Sequence, residues 1–313
     1  MSFACVFPGQ GSQSVGMMSD WAESDPVVAS TFAEAAEVLG DELLSLMRSG
    51  PGEILDRTEN TQPAMLTVGV AAWRAYRAAG GPMPAAMAGH SLGEYTALVA
   101  AGAISFADAL KLVRRRGVLM QQAVPAGEGA MAAVIGLDDA TVEGVCETCS
   151  RDQVCEAVNY NAPGQVVVAG TADAIRLAVS VAESSGARKV VLLPVSVPAH
   201  STLMKPAASK LAEALGEIEI VPPTVPVVHN VDAAARQDPE AIREALAAQL
   251  WRPVRWVDCV RALQELGAGT LLEMGPGKVL SGLTRRIDRA LTAVPVLDAA
   301  GLEKALALVA SDD

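Results

Sequence analysis

The chain has 313 residues, which at roughly 150 residues per domain accommodates one large domain or two. Hydrophobic residues make up 51%, charged residues 19% and aromatics only 4%, which excludes a disordered or collagen-like chain and argues against a nucleic-acid platform of stacked rings. With 36 acidic against 24 basic side chains the net charge is −12, so a phosphate backbone is repelled at long range and an anionic partner must be met by a local basic patch.

Residues 1–7 carry no basic stretch ahead of their apolar run, so they are expected to form a buried strand over Ala4–Phe7 and not a signal peptide. The strand runs into a glycine loop, Pro8-Gly9-Gln10-Gly11-Ser12-Gln13. Helical segments follow, among them an alanine-rich helix over Leu66–Tyr76 that Gly80-Gly81-Pro82 ends. Ala85–Ala88 reads as a short strand, Gly89-His90-Ser91-Leu92-Gly93 as a sharp turn and Tyr95–Ala101 as a helix stopped by Gly102. Ser105 and Asp108 fit a capping box, with the Ser105 hydroxyl accepting from the Asp108 N–H, and predict a helix from Phe106 to about Gln122.

From Gly129 the pattern changes. Met131–Leu137 is a predicted strand, Ala140–Cys149 a helix, Val154–Tyr160 and Gln165–Ala169 strands around an Ala162-Pro163-Gly164 turn, Ala172–Ser185 a helix and Lys189–Val197 a strand. That order, β-α-β-β-α-β, is ferredoxin-like, here an insertion of about 70 residues in an α/β domain. Beyond it come a helix over Leu203–Leu215, a strand over Thr224–Asn230, a helix over Pro239–Leu250 and a final strand, Thr270–Met274, entering Gly275-Pro276-Gly277-Lys278. The expected division is a large subdomain over 1–126 and 199–313 and a small one over 127–198. Stretches such as Val190–Met204 are too short or too interrupted by proline to span a bilayer. Five cysteines without a disulfide framework suit a reducing compartment, so a cytoplasmic protein with no membrane or nucleic-acid partner is expected.

Gly89-His90-Ser91-Leu92-Gly93 fits G-x-S-x-G, the turn that lifts a serine hydroxyl above the sheet in α/β-hydrolase-like folds, and its strand–turn–helix context is the one the motif requires. The Leu92 N–H would face a developing oxyanion. Serine needs a base, and the chain has three histidines. His90 adjoins the serine and should project away from its hydroxyl. His200, in Pro198-Ala199-His200-Ser201, is the favoured base, with His229 or a purely structural histidine as alternatives. In the run Arg114-Arg115-Arg116, helical geometry puts Arg116 on the apolar stripe with Val113 and Met120. A guanidinium there either pairs with an internal carboxylate or faces an acidic ligand. Gly9-Gln10-Gly11 lacks the following Gly-Lys-Ser/Thr of a phosphate loop and is open to lending oxyanion donors. Cys146 and Cys149 have metal-ligand spacing but no second pair, so packing is expected and no metal.

In this series of motifs the chain resembles the malonyl-CoA:acyl carrier protein transacylases of bacterial type II fatty acid synthesis, an acyltransferase family. The likeness runs through the glycine loop at residues 8–13, Asn60-Thr61-Gln62-Pro63, residues 89–94, Arg116-Gly117, residues 159–165 from Asn159 to Gln165, Pro198 to Ser201, Asn230-Val231-Asp232, Gln249-Leu250 and Gly275 to Lys278. It covers essentially the whole chain. It implies an α/β-hydrolase-like large subdomain with a parallel sheet and an inserted ferredoxin-like small one. It implies Ser91 as nucleophile, His200 as base, Arg116 as the holder of the malonyl carboxylate and Gln10 and Leu92 as oxyanion N–H donors. The carbonyl of Gln249 would orient the histidine in place of an acid, and Gln62 and Asn161 match pocket-lining positions.

The implied reaction moves malonyl from malonyl-CoA to the phosphopantetheine thiol of holo-acyl carrier protein through a serine ester. No cofactor of the enzyme's own and a monomer are expected. Service to a polyketide synthase carrier protein and a serine thioesterase or hydrolase are the alternatives, and a non-catalytic carrier-binding module is the rival from outside the enzymes. Lys278, Arg285 and Arg286, near the final glycine turn, are the expected carrier-docking patch.

Overall fold

The computed structural model describes residues 2–125, 127–195 and 197–310. Among the described residues nine strands form two sheets. In chain order they are β1 (Ser2–Phe7), β2 (Ala86–Gly89), β3 (Gly129–Ile135), β4 (Cys155–Ala162), β5 (Gln165–Thr171), β6 (Lys189–Leu192), β7 (Val227–Val228), β8 (Ala268–Met274) and β9 (Thr292–Val296).

The first sheet, ordered β7-β2-β1-β8-β9, is parallel throughout. Its central strands are apolar on both faces, as a sheet covered by helices on both sides demands: β2 is buried along its length and β1 from Phe3 onward. The register pairs Phe7 with Gly89, so β1 and β2 end side by side and their loops leave the sheet together. Gly9 permits that approach, since a Cβ on it would lie 2.4 Å from the His90 carbonyl oxygen.

The second sheet, ordered β4-β5-β3-β6, is antiparallel and carries the helices Asp139–Ser150 and Ala172–Ser184. This is the ferredoxin-like order, laid against the first unit where the Tyr160 N–H donates to the Val254 carbonyl. The architecture is therefore α/β, a parallel sheet with a separate small antiparallel one. Ala126 and Ser196, at the expected subdomain boundary and in the expected strand Lys189–Val197, lie outside the described residues.

Several bounds differ from expectation for local reasons. β6 stops at Leu192, ahead of Pro194, and β7 is two residues long after Pro226, because proline has no N–H for the ladder. Thr270–Met274 is not the last strand: β9 pairs outside β8 as an edge, where Pro295 is tolerated. The helix expected over Leu66–Tyr76 begins at Thr58. Its first turns are polar, and the buried Asn60 and Thr61 are satisfied there by side-chain bonds to the Ile54 and Leu55 carbonyls. At the helix Phe106–Ala123 the Ser105 hydroxyl accepts from the Asp108 N–H at 3.1 Å, and the Asp108 carboxylate accepts from that hydroxyl at 2.7 Å.

Candidate active site

Ser91 follows β2 and precedes the helix Gly93–Ala100 with φ of 51°, the left-handed backbone that an elbow imposes on its serine. Both flanking glycines are sterically required. A Cβ on Gly89 would lie 1.8 Å from the Gly93 carbonyl carbon, and one on Gly93 would lie 2.0 Å from the Phe7 carbonyl oxygen. The turn is thus pressed against the end of β1.

His200, itself at φ 65°, comes from the segment after the small sheet and is 3% exposed. Its Nε2 is 2.8 Å from Ser91 Oγ, and its Nδ1 is 2.7 Å from the Gln249 carbonyl oxygen. A carbonyl only accepts, so Nδ1 carries the proton and the Nε2 lone pair faces the serine. Burial, and after it the positive charge of Arg116, lowers the His200 pKa to about 3. The ring is consequently neutral near pH 7, the form a base needs.

Arg116 lies on the buried face of its helix and is 1% exposed. Nη1 donates to Gln62 Oε1 at 2.9 Å, while Nη2 donates to Gln249 Oε1 at 3.0 Å and to Ser91 Oγ at 3.3 Å. Its charge sits 5.4 Å from the Tyr95 ring centre. Nε has no partner, and among the described residues every hydrogen-bond partner of the guanidinium is neutral. The internal ion pair left open by the sequence is not formed.

A cavity of about 190 Å³ joins these groups and is lined by Gln10, Ser91, Leu92, Arg116, Asn161 and His200, with Met120, Met131, Val167 and Val197 among its apolar walls. The Gln10 side chain donates to Thr58 Oγ1 at 3.3 Å. The backbone N–H groups of Gln10 and Leu92 have no acceptor among the described residues, which suits donors held ready for an oxyanion. Asn161 lines the cavity and bonds His90 Nε2 at 2.8 Å. Gln62 does not line it; its amide sits behind Arg116, between the guanidinium and Met120 Sδ.

His229, the alternative base, faces Glu94 and is absent from the cavity lining. It is fully buried and its Nδ1 is 2.8 Å from Glu94 Oε1. Cys146 and Cys149 pack in the core of the small sheet. Lys278, Arg285 and Arg286 are exposed, and Arg286 reaches across to Gln165 Oε1 on the small sheet.

Sequence reasoning missed Asn230, Glu94 and the side chain of Gln249. Asn230 Oδ1 accepts from the Ser91 N–H at 2.7 Å and its Nδ2 donates to the Gly89 carbonyl, closing a clamp over the turn. Gln249 Nε2 donates to the Ser91 carbonyl at 2.9 Å. All three stand in motifs that carried the resemblance, residues 89–94, 230–232 and 249–250, but nothing in those motifs assigned their side chains a role.

The arrangement places a serine hydroxyl, a neutral histidine able to take its proton, two open N–H donors and a buried cation beside one small cavity. The acyl transferase domain family matches residues 4–304. The malonyl CoA-acyl carrier protein transacylase of Salmonella typhimurium is 53% identical over 97% of this chain and 98% of its own length. An acyl carrier protein S-malonyltransferase from Vibrio cholerae superposes with a TM-score of 0.94 at 53% identity, covering 97% of this chain and 99% of that one. A malonyl-transacylase solved in complex with its holo type II polyketide synthase acyl carrier protein superposes with a TM-score of 0.97 at 51% identity, covering 98% and 100%.

Proposed function

The chain belongs to the acyl transferase domain family, and from that premise we infer that it transfers malonyl from malonyl-CoA to the phosphopantetheine thiol of acyl carrier protein for fatty acid synthesis. The observation that carries the malonyl assignment is Arg116, a buried guanidinium whose hydrogen-bond partners among the described residues are all neutral, 3.3 Å from Ser91 Oγ. A thioesterase for uncharged acyl chains has no use for it.

On this reading His200 Nε2 takes the Ser91 proton as Oγ attacks the thioester carbon. The N–H groups of Gln10 and Leu92 receive the oxyanion, each worth about 3 kcal/mol if it behaves as such donors do. Collapse breaks the C–S bond, and His200 returns its proton to the leaving thiolate. The second half runs in reverse: His200 deprotonates the pantetheine thiol, the thiolate attacks the malonyl ester, and Ser91 recovers its proton. Arg116 holds the carboxylate throughout, so the reacting carbonyl is presented in one orientation. The phosphopantetheine arm arrives on the partner, so the transfer draws on no cofactor held by this chain.

Intact-mass measurement after mixing with malonyl-CoA alone tests the reading. One malonyl group on Ser91, absent from Ser91→Ala, is expected. An unlabelled protein, or label on another residue, would overturn it.

A further inference from the structure

Glu94 is fully buried in the first turn of the helix Gly93–Ala100, where the helix dipole favours its negative charge. Its carboxylate accepts from three donors: His229 Nδ1 at 2.8 Å, the Asn230 N–H at 2.8 Å and Gln249 Nε2 at 2.9 Å. Two of these three residues are the ones whose side chains hold Ser91. Asn230 takes the Ser91 N–H and Gln249 the Ser91 carbonyl, so both polar groups of a left-handed residue are fixed by side chains that meet on one carboxylate. Gln249 also faces Arg116. Because a guanidinium only donates, the Gln249 oxygen must take Arg116 and its nitrogen must take Glu94, which fixes the amide as a link between a buried cation and a buried anion.

We propose that Glu94 is a positioning residue that sets the Ser91 peptide through Asn230 and Gln249 and gives Arg116 its counter-charge at one remove, through the Gln249 amide. A carboxylate in direct contact would occupy the N–H groups a substrate carboxylate needs. With the amide interposed, the cation has an opposite charge nearby while Nε remains without a partner. The proposal rests on the malonyl reading of the site and adds to it a residue that touches neither substrate nor the reacting atoms.

The test is Glu94→Gln, which preserves shape but turns one accepting oxygen into a donor. The single-turnover constant for malonyl ester formation is measured per titrated active site, with free malonate as a competitive probe of Arg116. The acylation constant should fall at least tenfold, while malonate inhibits as tightly as in wild type or more so, since Arg116 has lost its counter-charge. A loss below tenfold, or weaker malonate inhibition, overturns the proposal. If Glu94→Gln does not fold, Gln249→Met removes the link with Glu94 retained and is judged by the same two criteria. Glu273→Gln is the control for a merely structural carboxylate. Glu273 is a buried acid bonded to the Leu280 and Ser281 N–H groups, and its loss should lower the melting temperature without changing the acylation constant. Failure of wild type itself to form the ester would sink the malonyl reading, whereas a fast Glu94→Gln enzyme beside a competent wild type sinks only this inference.

Discussion

On the malonyl reading Arg116 is a binding group that reaches Glu94 only through the Gln249 amide and gains a direct anionic partner when the substrate carboxylate arrives. Removing it as Arg116→Ala should cost malonyl transfer about 2 to 4 kcal/mol, the range for losing one partner of a buried charge pair, or roughly 30- to 1000-fold in kcat/KM. Acetyl transfer should hold or rise, because acetyl-CoA leaves the wild-type guanidinium desolvated and unpaired. Measuring kcat/KM for both thioesters on folded protein checks this, and equal losses would make Arg116 a structural residue. His200 yields a second prediction. Its pKa is lowered, so the neutral base persists as pH falls, and malonyl ester formation should stay flat from about pH 8 down to about pH 5 without the limb near 6.5 of an ordinary histidine. In Arg116→Ala the lowering by the guanidinium is gone and the acid limb should move upward, though burial, the larger cause, keeps it below 6.5. A stopped-flow pH series decides. Ser91, His200 and Arg116 were legible because their chemistry is tied to residue type and to short motifs. Asn230 and Glu94 were not, since a clamp on the Ser91 N–H from 139 residues away exists only after packing.

The elbow shows how an element converts sequence into geometry. Gly93→Ala would drive a Cβ to 2.0 Å from the Phe7 carbonyl oxygen, which is backbone in a central strand and cannot rotate away. A loss of about 3 kcal/mol or more is expected, at the upper end for overpacking, visible as a lower denaturant midpoint together with slower ester formation. Ser105→Ala, at the N-cap of the helix that carries Arg116, should cost only about 1 kcal/mol and leave the acylation constant intact. Strand and helix types followed from periodicity through most of the chain, including the full order of the small sheet. Pairing partners did not. Nothing local in the five residues of β9 says that they add to β8, and prolines shortened two strands whose apolar runs promised more. The turns over Thr58–Gln62 fell outside the helix expected over Leu66–Tyr76, because their polar side chains are buried against partners that the sequence does not reveal as neighbours.

At the scale of the whole molecule, a net charge of −12 makes any exposed cationic patch a candidate for meeting an acidic carrier. Arg285 stands with Arg289 and Lys304 around a groove of about 740 Å³, and Lys278 is the N-cap of the helix Val279–Ile287 that carries Arg285. Lys278→Glu with Arg285→Glu should raise the KM for acyl carrier protein more than that for malonyl-CoA, and the difference should shrink at high salt. Equal effects on both substrates would move the docking surface elsewhere. The separation of the catalytic parts along the chain also has a consequence in time. Ser91 finds its base 109 residues later and the Gln249 amide 158 residues later. At about 5 to 20 residues per second, a ribosome needs roughly 8 to 30 seconds to deliver that last part after the serine. Through the first 109 of those residues the serine has no base, and until Gln249 arrives the hold on its carbonyl is missing. Premature chains released before Gln249 should therefore consume no malonyl-CoA, and truncation leaves inert fragments instead of leaky hydrolases.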